Sequence, residues 1–399
     1  MDQMAERQHK KRKPEKMAGA RTSGHDKEEE KKVKAPSVYL VVGHEVSWAT
    51  YSVFKVDPYA AAKRGGGGGD EEDPAPVPIP RRLARISAKF CMSFAPVPVR
   101  SWIVGVGGDS ADEDYAPETI VFDTETRAVI RGPNLLSTKL HPVVLTIGHK
   151  IYALARYPSV TGQLDFVPWF EVLDLSQARV VDGHLESCEW KPLPRPPFFP
   201  WDLTPLQYLS PPMVTVESYV ALASCILVSL SQQEGTHMFD VDKEQWSKLD
   251  DNSLPFVRGA VPHGPIFLGL SRAKKTITAY NITVVCQPRS GGTAPSLSIV
   301  EFPVVSDMEE EILSTPIFLS LGSPGFCSLK SWSDHPTTDD PCTRAHIKLM
   351  AYHTEEPISQ ECIESSHGLL IPNQWKQVYE ICDSSRELIW QCLITAMSL

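Results

Sequence analysis

What the sequence lacks narrows the field first. Its longest apolar run, Tyr219 to Leu230, is 12 residues, well short of the roughly 20 needed to cross a bilayer as a helix. No apolar stretch follows the basic residues at the N-terminus, so no secretory leader is expected. The nine cysteines (Cys91, Cys188, Cys225, Cys286, Cys327, Cys342, Cys362, Cys382 and Cys392) are odd in number and widely scattered. That is not the framework of a disulfide-stapled domain, and reduced thiols in the nucleus or cytoplasm are the expectation. Asn281-Ile282-Thr283 fits a glycosylation acceptor, but outside the secretory path it reads as chance. Positive charge is also short, with 39 Lys and Arg against 49 Asp and Glu and a net charge of −10. This excludes a wholly basic nucleic-acid binder, and neither nucleic acid nor membrane is expected as a partner; a basic partner surface is favoured instead.

Recognisable chemistry is missing too. There is no Gly-x-Ser-x-Gly elbow, phosphate loop or dinucleotide fingerprint, and Gly65 to Gly69 lacks the Lys-Ser/Thr and helix that a phosphate cradle needs. Cys342 and His346, with Cys327, His335 and Asp339 near them in sequence, supply metal-ligand types without a closely spaced ligand pair. His353 beside Glu355 and Glu356 reads as a strand running into a solvated acidic turn. No catalytic residue, cofactor or metal is therefore expected, and the chain reads as a non-enzymatic binding module.

What is present is unevenly arranged. Residues 1–34 hold 11 Lys and Arg against 7 acids, leaving 28 against 42 and a net of −14 for the remaining 365. With almost nothing apolar to bury, residues 1–36 are expected to form a disordered basic tail. Within it, Lys10, Lys11, Arg12 and Lys13 precede Pro14. Such a cluster suits the acidic grooves of nuclear import receptors; a solvated tail that aids solubility and a weak phosphate contact are the other readings. A second low-complexity stretch, residues 60–80, joins Gly65 to Gly69, Asp70 to Asp73 and a proline tract, and predicts a disordered insertion exposed between strands.

From Ser37 onward the chain reads as short β-branched and aromatic strands separated by turns. A unit recurs: Ile120 to Glu125, Glu171 to Ser176 and His237 to Asp242 align through Asp123, Asp174 and Asp240, with Phe122 and Phe239 just before the first and last of these acids. Weaker copies are Ala279 to Thr283 and Phe54 to Asp57. The aligned positions lie 51, 66 and 41 residues apart from Asp123 to Asn281, near the roughly 50-residue period of a four-stranded propeller blade. A hydrophobic strand precedes each main copy: Trp102 to Gly108, Lys150 to Leu154, Tyr219 to Leu222 and, for the weaker one, Pro265 to Leu270. Each Asp is expected to accept turn N–H groups, and Trp190 and Trp246, which follow two copies, to fill the space between neighbouring sheets.

Gly107-Gly108, the strings Phe122 to Thr126 and Phe239 to Trp246, and the downstream Leu254-Pro255-Phe256 resemble the degenerate kelch-type β-propellers of an uncharacterised plant family abundant in grasses. The similarity spans about residues 37–355. It implies an all-β, irregular kelch-like propeller of about five to seven blades, without an F-box, and no established activity. The partner it implies is another, unidentified protein. The alternative is an enzyme whose active site is built from polar residues gathered in the central channel of the β-propeller.

Two segments stand apart. In Lys191 to Trp201 the prolines, Arg195, Phe198, Phe199 and Trp201 describe either a docking motif for a proline-reading module or an inter-blade loop whose aromatics pack down. At the C-terminus, Trp375, Val378, Ile381, Cys382, Leu388, Ile389, Cys392 and Leu393 fall mostly three or four apart, which predicts a helical segment. The expected organisation is thus a tail at 1–36, a propeller at 37–358 and a partly helical extension at 359–399.

Overall fold

A computed structural model describes residues 37–45, 50–63, 76–88, 91–107, 117–161, 165–289, 292–305, 316–322, 324–333, 344–354, 368–382 and 387–399. The basic cluster Lys10 to Lys13 and Gly108 lie outside them. Pro36–Leu399 is one compact unit, and its described residues are overwhelmingly strands.

The strands fall into five hydrogen-bonded sheets, and the nine-stranded one divides into two four-strand sets joined by parallel pairing of Val216–Ala221 with Phe256–His263, with the short strand Leu369–Leu370 added in parallel at its edge, giving six antiparallel four-strand sets. The first comprises Glu387–Ser398, Val38–Glu45, Thr50–Val56 and Ala84–Ser87. The second runs Met92–Val97, Trp102–Gly107, Glu118–Asp123 and Val129–Arg131, and the third Val143–Ile147, Lys150–Leu154, Phe170–Asp174 and Trp190–Pro192. The fourth runs Val216–Ala221, Cys225–Leu230, Thr236–Asp240 and Gln245–Asp250. The fifth holds Phe256–His263, Ile266–Ser271, Ile277–Arg289 and Gly292–Val305, and the sixth Ile317–Ser320, Gly325–Ser333, Arg344–His353 and Asn373–Cys382. The first strand of each sheet touches the first strand of the next, and that of the sixth touches that of the first.

Strand periodicity explains the core. Successive side chains point to opposite faces of a sheet, and here both faces are covered. Leu40 and Val42 pack with Leu329, Ile347 and Leu349 of the sixth sheet, whereas Tyr39 and Val41 pack with Ile103, Ile120 and Phe122 of the second. The same division repeats between second and third (Val104, Val121, Ile151, Leu173), third and fourth (Phe170, Ile226, Phe239), fourth and fifth (Leu227, Phe256, Tyr280) and fifth and sixth (Leu268, Phe302, Phe326). Two-sided burial is why Tyr39 to Val42 and Ile226 to Val228 are unbroken apolar runs rather than alternating ones.

Two expectations are corrected. The C-terminal segment is not helical: Asn373–Cys382 is the fourth strand of the sixth sheet and Glu387–Ser398 pairs with Val38–Glu45 in the first. It is therefore no extension to the sheets but part of them. The helix-like spacing has a physical source. The last strand shifts register between Val41 and Val42 and again between Val42 and His44, and bulges insert extra residues that break a period of two. The ends of the 60–80 insertion are also ordered, as a helical turn at Ala60–Lys63 and a short strand, Val77–Pro78, that runs parallel to Asn373–Cys382; its Gly and acidic tracts lie outside the described residues.

Candidate protein-interaction surface

The repeat residues occupy equivalent places. Asp123, Asp174 and Asp240 each end the third strand of a sheet and accept backbone N–H groups from the turn that follows. Asp123 takes Glu125 at 2.8 Å and Thr126 at 3.1 Å, Asp174 takes Ser176 at 2.8 Å, and Asp240 takes Asp242 at 3.1 Å and Lys243 at 2.9 Å. The Lys243 ammonium adds a 2.6 Å contact that holds the Asp240 carboxyl below its ordinary pKa. Phe122 and Phe239 are fully buried. Gly107 ends the second strand of its sheet with φ +152°, and a Cβ there would meet the Cys91 carbonyl oxygen at 2.6 Å. Trp190 lies between the second and third sheets, its indole N–H donating to Thr119 Oγ1 at 2.9 Å. Trp246 bridges the third and fourth, donating to the Pro194 carbonyl at 2.9 Å and packing on Phe170 and Phe239. Tyr219 to Leu222, expected as the strand before a repeat, belongs mainly to the first strand of the fourth sheet; Cys225–Leu230 is the strand that pairs with the repeat.

These residues build sheets, and none is placed to react. The surface with chemistry to offer is the crossover from Leu193 to Val214, between the third and fourth sheets. Phe198 and Phe199 anchor it in the core at 8% and 5% exposure, while Trp201 is 41% exposed. Trp201 packs edge-on against buried Trp169 at 5.6 Å and carries the Arg195 guanidinium over its ring at 4.4 Å. A helical turn, Pro205–Leu209, follows because its local sequence is a complete start signal: Thr204 caps it, Gln207 returns the bond to the Thr204 N–H at 2.8 Å, and Pro205 occupies the first turn. None of its residues is buried. Leu206 is 74% exposed, Leu209 84% and Met213 64%, with Tyr208 half exposed.

Beside this apolar ridge lies a cleft of about 420 Å³, lined by Pro200, Leu203, Tyr208 and Met213 on one side and Pro158 to Thr161 on the other. Its second wall is fixed from below. Trp169 donates to the carbonyls of Ser159 and Asp165 at 3.2 and 3.1 Å, and the Asp165 carboxylate accepts the N–H groups of Leu140 and Arg156. Burial pushes the Asp165 pKa up to about 7 against the pull of those N–H groups and of Lys139. Lys139, wholly buried, is paired with Glu171 and donates to the Pro168 carbonyl at 2.8 Å; Glu171 also accepts the Leu136 N–H at 2.8 Å. Burial drives the Lys139 pKa down and Glu171 opposes it. This bonded cluster ties residues 136–140 to residues 156–159 and 165–171, so the cleft is preformed. None of Lys139, Asp165 or Glu171 stood out in the sequence, because each lies in a different loop or strand. The helical turn did leave a signal, Thr-Pro-Leu-Gln-Tyr-Leu, in which a capping box is followed by apolar residues with no covering segment.

Among the described residues no group of three or more His, Cys, Asp and Glu gathers to hold a metal ion, and no helix is long and apolar enough to cross a membrane. Of the metal-ligand types noted in the sequence, His335, Asp339 and Cys342 lie outside the described residues; Cys327 is buried in the strand Gly325–Ser333, and His346 stacks on Trp332 at 5.3 Å.

A family model described as a protein of unknown function, DUF1668, matches residues 35–379. No curated protein matches. Among solved structures, the chain is similar to a putative 6-phosphogluconolactonase from Bacteroides uniformis, with 10% identity, 92% of this chain and 100% of that one covered and a TM-score of 0.42. It is also similar to the β-propeller domain of Cps50 (Swd1) from Myceliophteria thermophila, at 9% identity, 77% and 80% coverage and 0.34. The WD40 domain of SCAP from fission yeast matches at 10%, 85% and 74% coverage and 0.29.

Proposed function

The chain belongs to the DUF1668 family, and from that premise we propose that it is a kelch-type propeller scaffold that binds another protein, without turnover, through the Leu193 to Val214 crossover. Six four-strand sheets with first strands in cyclic contact, and the last strand of the chain paired to Val38–Glu45, support a six-bladed ring closed by the chain termini. One observation carries the interaction reading. Leu206, Leu209 and Met213, each more than 60% exposed, project from one ordered crossover beside a preformed cleft. Exposed apolar residues gathered on a rigid support mark interaction sites rather than ordinary surface. The proline, leucine and methionine lining fits a partner segment that inserts large apolar side chains. Lys10 to Lys13 would serve the same scaffold as a nuclear import cluster.

The test is proximity labelling in the native cell type with the wild-type chain and with Leu206→Asp combined with Leu209→Asp. Both residues are exposed, so thermal stability should stay within about 0.5 kcal/mol of wild type while a defined set of neighbours is lost. An unchanged neighbour set from the folded variant would refute the reading. Replacing Lys10, Lys11, Arg12 and Lys13 with Ala should move neighbours from nuclear to cytoplasmic identities; unmoved neighbours would remove the import role.

A further inference from the structure

We propose that Arg195 makes the crossover selective for a partner segment that carries an Asp or Glu carboxylate a few residues from its large apolar side chains. The inference rests on the crossover being the docking surface and names the chemistry of the segment that docks there. Arg195 stands between Pro194 and Pro196, so φ is fixed on both sides of it. The flanking carbonyls are held as well: the Trp246 indole N–H donates to that of Pro194 at 2.9 Å and the Phe199 N–H to that of Pro196 at 3.2 Å. From this rigid backbone the guanidinium lies over the Trp201 ring, 4.4 Å from its centroid. Trp201 is the link to the cleft. Its ring meets Trp169 at 5.6 Å, and Trp169 donates to the carbonyl of Ser159 in one wall of the cleft at 3.2 Å. Pro200 and Leu203, on either side of Trp201 in the chain, line the other wall.

What Arg195 lacks is a partner for its N–H groups. Its exposed side chain lines an open depression of about 510 Å³ with Pro194, Pro197 and Trp246. Among the described residues none of its guanidinium donors makes a hydrogen bond or ion pair. Arg100 gives the contrast. It lies over Trp102 at 5.1 Å in the same manner, but its donors go to the carbonyls of Leu175, Ser176 and Ala178. Stacking occupies only the face of a guanidinium; the donors lie in its plane and form the fork that matches a carboxylate bidentately. Asp202 in the crossover and Glu244 in the same depression are exposed too, and neither pairs with Arg195. They have no ring against them, so burying either under a partner removes a full hydration shell, whereas Trp201 has already dried one face of Arg195. The single uncompensated charge of Arg195 matches one carboxylate; a phosphate group, at roughly −1.5 to −2, would remain partly unneutralised.

The test is selection from a random peptide library on the full chain, with Arg195→Glu and the Leu206→Asp, Leu209→Asp double variant as parallel baits. The wild-type chain should enrich peptides with Asp or Glu within about four residues of large apolar side chains, the reach of an extended chain across Trp201. Arg195→Glu should keep the apolar positions and exchange the acid for Lys or Arg, and the double variant should enrich neither. A resynthesised peptide should bind the wild type about tenfold more tightly than its Asn or Gln counterpart, and Arg195→Glu should abolish that ratio. An apolar consensus without an acid, the same acid preference on Arg195→Glu, or tighter binding when phosphoserine replaces the acid would overturn the role of Arg195 and leave the docking surface standing. Equal enrichment on the double variant would refute the docking surface itself, and no enrichment on any bait would overturn both.

Discussion

Lys139 is the residue whose environment is most demanding. It has no exposed surface, and its ammonium is held by Glu171, Ser137 and the Pro168 carbonyl. Removing one member of a buried pair leaves the other charge uncompensated, so Lys139→Met should cost about 3–5 kcal/mol in urea unfolding. A loss under 1 kcal/mol would mean that the cluster does not fix the cleft wall. His263 makes a second residue-scale prediction. It is buried against Phe326 with Nδ1 3.2 Å from Ser320 Oγ, and burial brings its pKa down to about 4. The unfolded chain then binds more protons between pH 6.5 and 4, so this contribution is intact above pH 6.5 and is lost as pH falls toward 4. The loss amounts to about 3 kcal/mol. His263→Gln should flatten the stability profile across that window; the same slope in both proteins would contradict the assignment. At this scale the sequence was legible where chemistry is local. The Asp123, Asp174 and Asp240 turns and the inter-sheet Trp190 and Trp246 follow from neighbouring residues. Lys139 with Glu171 was not legible, because a separate loop and strand bring them together.

Among the elements, the last strand matters most. Its expected helix rested on a spacing of three and four that two strands, one regular and one with register shifts, produce as well. Periodicity alone does not separate these cases when register shifts intervene. What the strand does is cover Val38–Glu45, whose residues Val38, Leu40, Val41 and Val42 are fully buried. A chain ending at Cys382 would leave the edge of a continuous apolar strand unpaired. Such a chain should be insoluble or lack a cooperative unfolding transition, whereas loss of a dispensable helical tail would leave the transition within a few degrees of wild type. Circular dichroism melts of the two chains decide the matter. The Pro205–Leu209 turn is the converse case, an element spelled out by its capping box whose exposed side chains only the fold reveals.

For the whole molecule, the recurring Asp and Trp positions disclosed an all-β architecture of repeated sheets, and the structure supplies their order, their six shared cores and the surface between the third and fourth. The continuity of those cores predicts that Phe239→Ala, at the junction of two sheets, lowers stability by about 3–5 kcal/mol in one cooperative transition rather than melting one sheet separately. Function is tested most directly at the exposed crossover. A photo-crosslinking benzoylphenylalanine in place of Leu206, with the same residue in place of the exposed Val300 in the fourth strand of the fifth sheet as control, should be irradiated in the native cell type. The account predicts a discrete protein adduct from position 206 and none from position 300. No adduct at 206, or the same adducts at both positions, would contradict it.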